Sequence, residues 1–326
     1  MGIIKHKKLF LAIGALIVLV AAAIVLQFGL KPGIDFTGGS LMEVRYSTQP
    51  EKTAVEAVVA ELNLGEASVR ESSSEAGDGY LVTTRDLTDA EREALETKLT
   101  GLSEGGQLVR FTSIGPVIGQ ELKDKAGWAM GAVLLLIIIY VAIAFAGVGA
   151  PVSSWVYGFF TILVLGHDII VPVAFMSLMG EFAGAQADVL FVTVLLTILG
   201  FSVNDTIVIF DRIREKLQQN RTESRENIPV PGGKDEVKIT YTVTRPFATL
   251  VDEAINETMT RSINTSLTVL LALLALYFFG STVTQIFALT LIVGVIAGAY
   301  SSIFIASPLL VWYQEWLERR HTAQNK

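Results

Sequence analysis

Six blocks of apolar residues stand out along the chain, and they are continuous runs rather than amphipathic stripes. They cover Leu9–Phe28, Ala126–Gly149, Val152–Met179, Val189–Phe210, Met259–Phe279 and Val283–Trp312. Crossing the hydrocarbon core of a bilayer takes roughly 20 mostly apolar residues in an α-helix. Each block therefore predicts a transmembrane helix. The fifth is the weakest, because its strictly apolar stretch, Leu267–Phe279, is too short to span. Its helix has to begin earlier, which carries Arg261, Asn264 and Thr265 to the bilayer edge or deeper. The first run follows Lys5, Lys7 and Lys8. It is longer than the roughly 7–15 apolar residues of a signal peptide and has no clear small-residue cleavage site after it, so it reads as an uncleaved signal anchor.

Between the first two blocks the pattern changes to that of a soluble α+β domain, residues 29–125. Leu41–Tyr46 predicts a strand. Thr53–Leu62 places Val55, Val58, Val59 and Leu62 at helical spacing. Ala67–Glu71 and Tyr80–Thr84 are short β-prone runs around the turn-rich Ser72–Gly79. Thr88 followed by Glu91 forms a capping box, and Leu95, Leu99 and Leu102 give the next helix its apolar face. Gln107–Ser113 predicts the last strand. The order β-α-β-β-α-β is that of a ferredoxin-like domain. The expected fold is thus a polytopic α-helical membrane protein: a signal-anchor helix (1–28), an external α+β domain (29–125), a five-helix membrane domain (126–312) and a short tail (313–326).

Composition agrees. The chain is 51% hydrophobic and 17% charged, against about 25% charged in ordinary soluble proteins. Lysine and arginine counts set the orientation. With the N-terminus inside, the inside segments are 1–8, 150–151, 211–258 and 313–326. Arg212, Arg214 and Lys216 open the third of these, and Arg319, Arg320 and Lys326 lie in the tail. The short outside loops 180–188 and 280–282 have neither residue type, as the positive-inside rule expects. Segment 29–125 then lies outside. Its 17 acidic against 10 basic side chains account for the whole net charge of −7, which argues against a nucleic-acid partner. The chain has no cysteine, so disulfides and cysteine-based metal sites or nucleophiles are excluded.

Soluble-enzyme signatures are absent. Gly232-Gly233-Lys234-Asp235 lacks the upstream glycine and the hydroxyl residue of a phosphate-binding loop, and reads as an ordinary turn. No dinucleotide fingerprint or His-Glu-x-x-His pair occurs. No cofactor, no metal and no enzymatic activity are expected, and ATP has no site here.

The informative residues are the ionisable ones within the apolar blocks, since charges in lipid are costly and usually face a bundle interior, a partner or water. His167 and Asp168 lie in the third block, four residues before Pro172, which removes a helical donor from the Asp168 carbonyl. A polar pair that merely packs the bundle is the plain reading there. Asn204 and Asp205 lie in the fourth block, beyond Thr193, Thr197 and Gly200. Those small residues let helices approach, but packing does not account for a carboxylate. Arg261 shares a face with Asn264, Thr265 and Thr268. It either snorkels to the headgroups or pairs with Asp205 at similar depth as a proton-sensitive ion pair. Asp35, Gly38 and Gly39, in Asp-Phe-Thr-Gly-Gly, read as a tight joint between helix and strand, with Asp35 bonding its own turn.

Four stretches together resemble the SecD/SecF family of bacterial protein-export membrane proteins, in its SecF branch. They are Gly33–Gly39, Gly166-His167-Asp168, Ser202–Glu215 and Asn256–Ser266. The resemblance covers nearly the whole chain. The external domain has the size expected of that branch rather than the much larger one of SecD-like chains. Asn227–Leu250, with β-prone Val237–Val243, looks like an insertion. The family belongs to the resistance-nodulation-division superfamily of proton-driven membrane proteins. The resemblance implies a subunit that works with SecD and the SecYEG channel, and with YajC and YidC, in the bacterial inner (plasma) membrane. Both termini would be cytoplasmic, and the proton gradient would pull a translocating polypeptide outward. It also implies that Asp205, Arg261 and Asp168 serve a proton pathway, with His167, Asn204, Asn264 and Thr265 in support and Asp35, Gly38 and Gly39 as a hinge. The alternative is a proton-coupled small-molecule exporter of the same superfamily.

Overall fold

The computed structural model describes residues 2–65, 67–74, 77–144, 152–228 and 236–324. After a 3-10 turn, Ile4–His6, helix α1 runs over Lys7–Phe28. A single turn, α2 (Ile34–Thr37), leads into the soluble domain: β1 (Gly39–Tyr46), α3 (Lys52–Glu61), β2 (Ser68–Ser74), β3 (Gly77–Thr84), α4 (Asp89–Thr100) and β4 (Gln107–Ile114). The long helices α5 (Pro116–Ala144), α6 (Ser154–Ala183) and α7 (Val189–Gln219) follow. Next come a hairpin, β5 (Arg221–Ile228) and β6 (Glu236–Val243), and then α8 (Phe247–Phe279) and α9 (Thr282–Ser301). A π turn, Ser302–Ala306, joins α9 to α10 (Ser307–Gln324). Among the described residues, six helical segments are long and apolar enough to cross a membrane.

The soluble domain has the expected topology. Its strand order β2-β3-β1-β4, with every described pair antiparallel, is the ferredoxin-like arrangement. Alternation along the strands sends Met42, Val44, Tyr46, Tyr80 and Val82 to one face, where Val55 and Val59 of α3 and Leu95 and Leu99 of α4 cover them. Each leucine buried this way contributes roughly 1.5–3 kcal/mol. Helix α4 starts with the full capping box: Thr88 Oγ1 accepts from the Glu91 N–H, and Glu91 accepts from the Thr88 N–H at 2.9 Å. The opposite face carries Leu41, Glu43 and Arg45 of β1, and the register adds Arg70, Ser72, Leu81 and Arg110 beside them. It is turned toward the membrane helices. Arg70 Nη1 donates to the Gly184 carbonyl at 3.2 Å, and Ser72 Oγ lies 3.4 Å from Thr282 Oγ1.

In the membrane domain α6, α7 and α9 form the centre. A Cβ on Gly294 would sit 2.0 Å from Ile198 Cδ1, and one on Gly298 would sit 3.2 Å from Ser202 Cβ. That small-residue pair brings α9 against α7. Helices α5 and α8 are mostly exposed along their apolar spans, whereas about half of α6 and α7 is buried, so the outer faces of α5 and α8 are open to lipid or to another protein. At the end away from the soluble domain, Lys7 pairs with Glu315 of α10, and the Ile4 N–H bonds Asp252 of α8 at 3.2 Å.

Several helices are longer than the hydropathy suggests, and α10 continues through most of the presumed tail 313–326, to Gln324. Helix α5 begins at Pro116, inside the segment assigned to the soluble domain, and α7 continues to Gln219. Helix α8 begins at Phe247, so the presumed loop 211–258 is helical at both ends. Hydropathy marks only the part of a helix in lipid; polar turns such as Gln120–Lys125 continue it without an apolar signal. The β-prone Val237–Val243 falls in β6, as expected. The readings of Gly232-Gly233-Lys234-Asp235, of Pro229 and Pro231, and of the loop 150–151 with the end of the second block at Gly149 lie outside the described residues.

Candidate functional site

Asp168 is fully buried and accepts hydrogen bonds from three side chains on three helices. His167 Nδ1 of α6 is 2.8 Å from its Oδ1, and its Oδ2 accepts from Ser202 of α7 and, at 2.9 Å, from Ser301 of α9. This is how a carboxylate is held among apolar helices: its lone pairs are met by donors. The pair at 167–168 ties α6 to α7 and α9, which fits the reading of a polar pair that packs the bundle, except that its partners are side chains. Ser202 and Ser301 complete this network, and the sequence reading did not single out either hydroxyl. Their only signal was a hydroxyl in an otherwise apolar run, and Ser301 directly precedes the π turn. Such turns gather at functional positions. The second His167 nitrogen, Nε2, is buried with no protein partner.

One turn along α7 from Ser202 lies Asp205, 3% exposed. Its Oδ2 is buried and has no hydrogen-bond partner. Helix α8, which packs against α7, carries Ser262 and Ser266, whose hydroxyls are likewise buried without partners. Counting about 1.5 Å per residue from the domain-side ends of their helices, Asp168, Asp205 and Arg261 lie about 22, 24 and 27 Å deep. Asp205 and Arg261 thus lie at similar depth, as the sequence suggested, and Asp168 lies near them in depth.

The expected ion pair is not made. No contact within 4 Å joins Asp205 to Arg261, although the arginine's field reaches the carboxylate. Arg261 is exposed, as are Asn264 and Thr268, and Thr265 is half-buried. The two threonine hydroxyls bond back to their own helix, at 2.9 Å to the Arg261 carbonyl and 2.7 Å to the Asn264 carbonyl. Asn204 is also exposed, on α7. The reason is helical geometry: Ser262 and Ser266 take the buried side of α8, so the adjacent Arg261 looks outward. The Asp35 reading also changes. Its carboxylate does not bond its own turn but accepts from the Val189 N–H at the start of α7, at 2.9 Å. Gly38 and Gly39 have φ of 74° and 137°.

Fold and site together define a polytopic membrane protein with a buried carboxylate network and an exposed arginine, built around a ferredoxin-like domain inserted after its first spanning helix. The sequence matches the family described as protein export membrane protein SecD/SecF, C-terminal, over residues 94–230 and 234–316, and the SecD/SecF GG motif over 23–50. It is 34% identical to the protein translocase subunit SecF of Thermobaculum terrenum, over 96% of this chain and 93% of that one. It is 33% identical to the SecF of Sebaldella termitidis, over 94% of this chain and 90% of that one. The crystal structure of SecDF, a translocon-associated membrane protein from Thermus thermophilus, superposes with a TM-score of 0.77 at 31% identity, covering 96% of this chain. The chain spans 38% of that longer protein. This chain belongs to the SecD/SecF family.

Proposed function

We propose that this chain is the SecF subunit of a bacterial protein-export machinery, coupling the proton gradient to movement of a polypeptide across the inner membrane. The observation that carries the reading is the outward-facing polar stripe in spanning helices: Arg261, Asn264 and Thr268 on α8 and Asn204 on α7. A charge on a lipid-facing helix surface is costly, so the stripe needs a protein neighbour. SecD is that neighbour in this reading. The relative named SecDF, a longer chain of which this sequence aligns with 37%, supports a partner carried in the same molecule elsewhere. Arg261 is then positioned between the partner and Asp205, and Asp205 is the group that takes and releases the proton. Asp168, held by three donors, keeps α6, α7 and α9 in register while α7 and α8 rearrange.

The ion pair of Lys7 with Glu315 supports placing the two ends of the chain on one side of the membrane. With the lysines at that end, both termini are cytoplasmic and the soluble domain is outside. SecYEG, YajC and YidC are proposed as further partners through the family. The chain acts as a transport subunit, with the gradient as its energy source and no cofactor.

The absence of cysteine allows a direct test. A cysteine at Asn264 should crosslink to SecD in native membranes, and one at Leu16 on the exposed side of α1 should not. Crosslinking at neither position, with SecD present, refutes the partner assignment.

A further inference from the structure

The soluble domain does not rest flush on the membrane helices. A cavity of about 210 Å³ lies between its sheet and the domain-side ends of α7 and α9. That is smaller than the roughly 300–1,000 Å³ of pockets for drug-sized ligands. Its two halves differ in chemistry. The sheet contributes Arg70 of β2 and Arg110 of β4, with Leu41 and Thr112. The helices contribute Phe191 and Val194 of α7 and Ile286 and Phe287 of α9, and Leu190, itself 44% exposed, stands at the rim.

Two acids also line the cavity, Asp35 and Asp188, but both are committed. Asp35 accepts from the Val189 N–H and Asp188 from the Phe191 N–H, each at 2.9 Å. They cap α7, and the helix N-terminus meets their charge. The arginines are less well served. Arg70 bonds only the Gly184 carbonyl among the described hydrogen bonds. Arg110 has one carboxylate, Glu43, at 3.7 Å, and Glu43 is shared with Arg45. Burial lowers the Arg70 guanidinium from its ordinary value, and the neighbouring Arg110 lowers it further, against the opposing effect of Asp188. An anion between them would offset the burial of Arg70 and its repulsion by Arg110, whose own side chain is 43% exposed.

We propose that this cavity binds the phosphate headgroup of an anionic phospholipid from the leaflet on the soluble domain's side, with its acyl chains lying along α7 and α9. A guanidinium pair suits phosphate oxygens because its planar forks donate in parallel. The apolar wall decides for a lipid over a free anion: Phe191 is buried in the bundle, but Leu190 is 44% exposed and Ile286 and Phe287 are only half-buried, at the ends of spanning helices where acyl chains can reach them. A bound lipid would bridge the soluble domain to α7 and α9 at the junction where Asp35 and Arg70 already hold them. The inference rests on this cavity alone and does not depend on the export role.

The test uses the purified full chain in detergent, given phosphatidylglycerol or phosphatidylcholine and examined by native mass spectrometry. The wild type should retain one phosphatidylglycerol with a preference on the order of tenfold or more, as two arginines near a headgroup supply. Arg70→Gln with Arg110→Gln should abolish the preference, and Arg70→Lys with Arg110→Lys should keep much of it. Ile286→Trp, which fills the apolar wall and leaves both arginines, should also reduce retention. Equal retention of the two lipids by the wild type, or an unchanged preference in the glutamine variant, overturns the proposal. Displacement of the lipid by millimolar inorganic phosphate overturns the lipid assignment in favour of a free anion.

Discussion

The Asp35 carboxylate accepts a 2.9 Å hydrogen bond from the backbone N–H of Val189, 154 residues further along the chain. Around it, the Gly33 N–H donates to the Ala187 carbonyl at 2.7 Å and the Ala187 N–H to the Lys31 carbonyl at 2.8 Å. The segment after α1 is thus stapled to the start of α7, the helix that carries Ser202 and Asp205. These bonds give a displacement of the soluble domain a direct route to that helix.

The staple can be weakened without touching the site. A helix leaves its first N–H donors unpaired, and losing one capping carboxylate costs about 1 kcal/mol. Asp35→Ala should lower thermal stability in detergent by that order, while Asp35→Asn, which keeps an acceptor, should lose less. If motion passes through the staple, Asp35→Ala should also reduce gradient-dependent export while leaving membrane insertion intact.

The glycines of the same motif are fixed more severely. Gly38 and Gly39 have positive φ, which β-branched residues resist. A Cβ would meet Pro116 Cα at 2.8 Å from Gly38 and the Thr84 carbonyl oxygen at 2.5 Å from Gly39. Both obstacles are backbone, so neither can swing aside. Gly38→Val with Gly39→Val should insert normally but leave the soluble domain undocked, seen as rapid proteolysis in the 107–116 region. Export should fall with it.

The capping box makes a pH prediction for the soluble domain. Glu91 is lowered from 4.5 to about 2, first by its hydrogen bond from Arg85 and then by its bonds from Thr88. A depressed acid stabilises the fold when ionised. Its contribution is present above about 4.5, declines below that value and is gone below about 2. An NMR titration of Glu91 should therefore show a midpoint near 2 in the wild type, and one back toward 4.5 in Arg85→Gln.

The sequence carried the fold further than the site, for physical reasons. Strand alternation, the Thr88–Glu91 box and the long apolar runs are local signals, and each gave an element in its observed place. The polar extensions of α5, α7 and α8 gave no such signal, because a helix outside lipid needs no apolar run. Within the site, the residue types at 168, 205 and 261 were legible, since a charge in a spanning helix is unusual by itself. Their partners were not. Ser301 reaches Asp168 from 133 positions away and Val189 reaches Asp35 from 154, and nothing local encodes such contacts. Similar depth suggested an Asp205–Arg261 pair, but depth does not set which way a side chain faces around its helix axis.

That missed pair sharpens the central prediction. Asp205 is buried with an unpartnered oxygen, and Arg261 looks away from the described core. A buried carboxylate without partners is costly in its charged form unless it is hydrated or finds a counter-charge. On the proposed function, export would then alternate between this arrangement, with the two apart and Arg261 turned to a partner, and one in which the helices shift to join them. Moving one charge through 100 mV supplies roughly 2.3 kcal/mol, enough to bias such an equilibrium. Asp205→Asn keeps shape and burial while removing titration, so its thermal stability should match or exceed the wild type. Gradient-dependent export in inverted vesicles should be lost, and ATP-driven export by the rest of the machinery retained. Arg261→Gln should also lose gradient dependence, but it should weaken copurification with SecD as well, because that side chain faces outward. Equal stimulation by the gradient in wild type and Asp205→Asn would leave Asp205 a packing residue and assign the proton elsewhere.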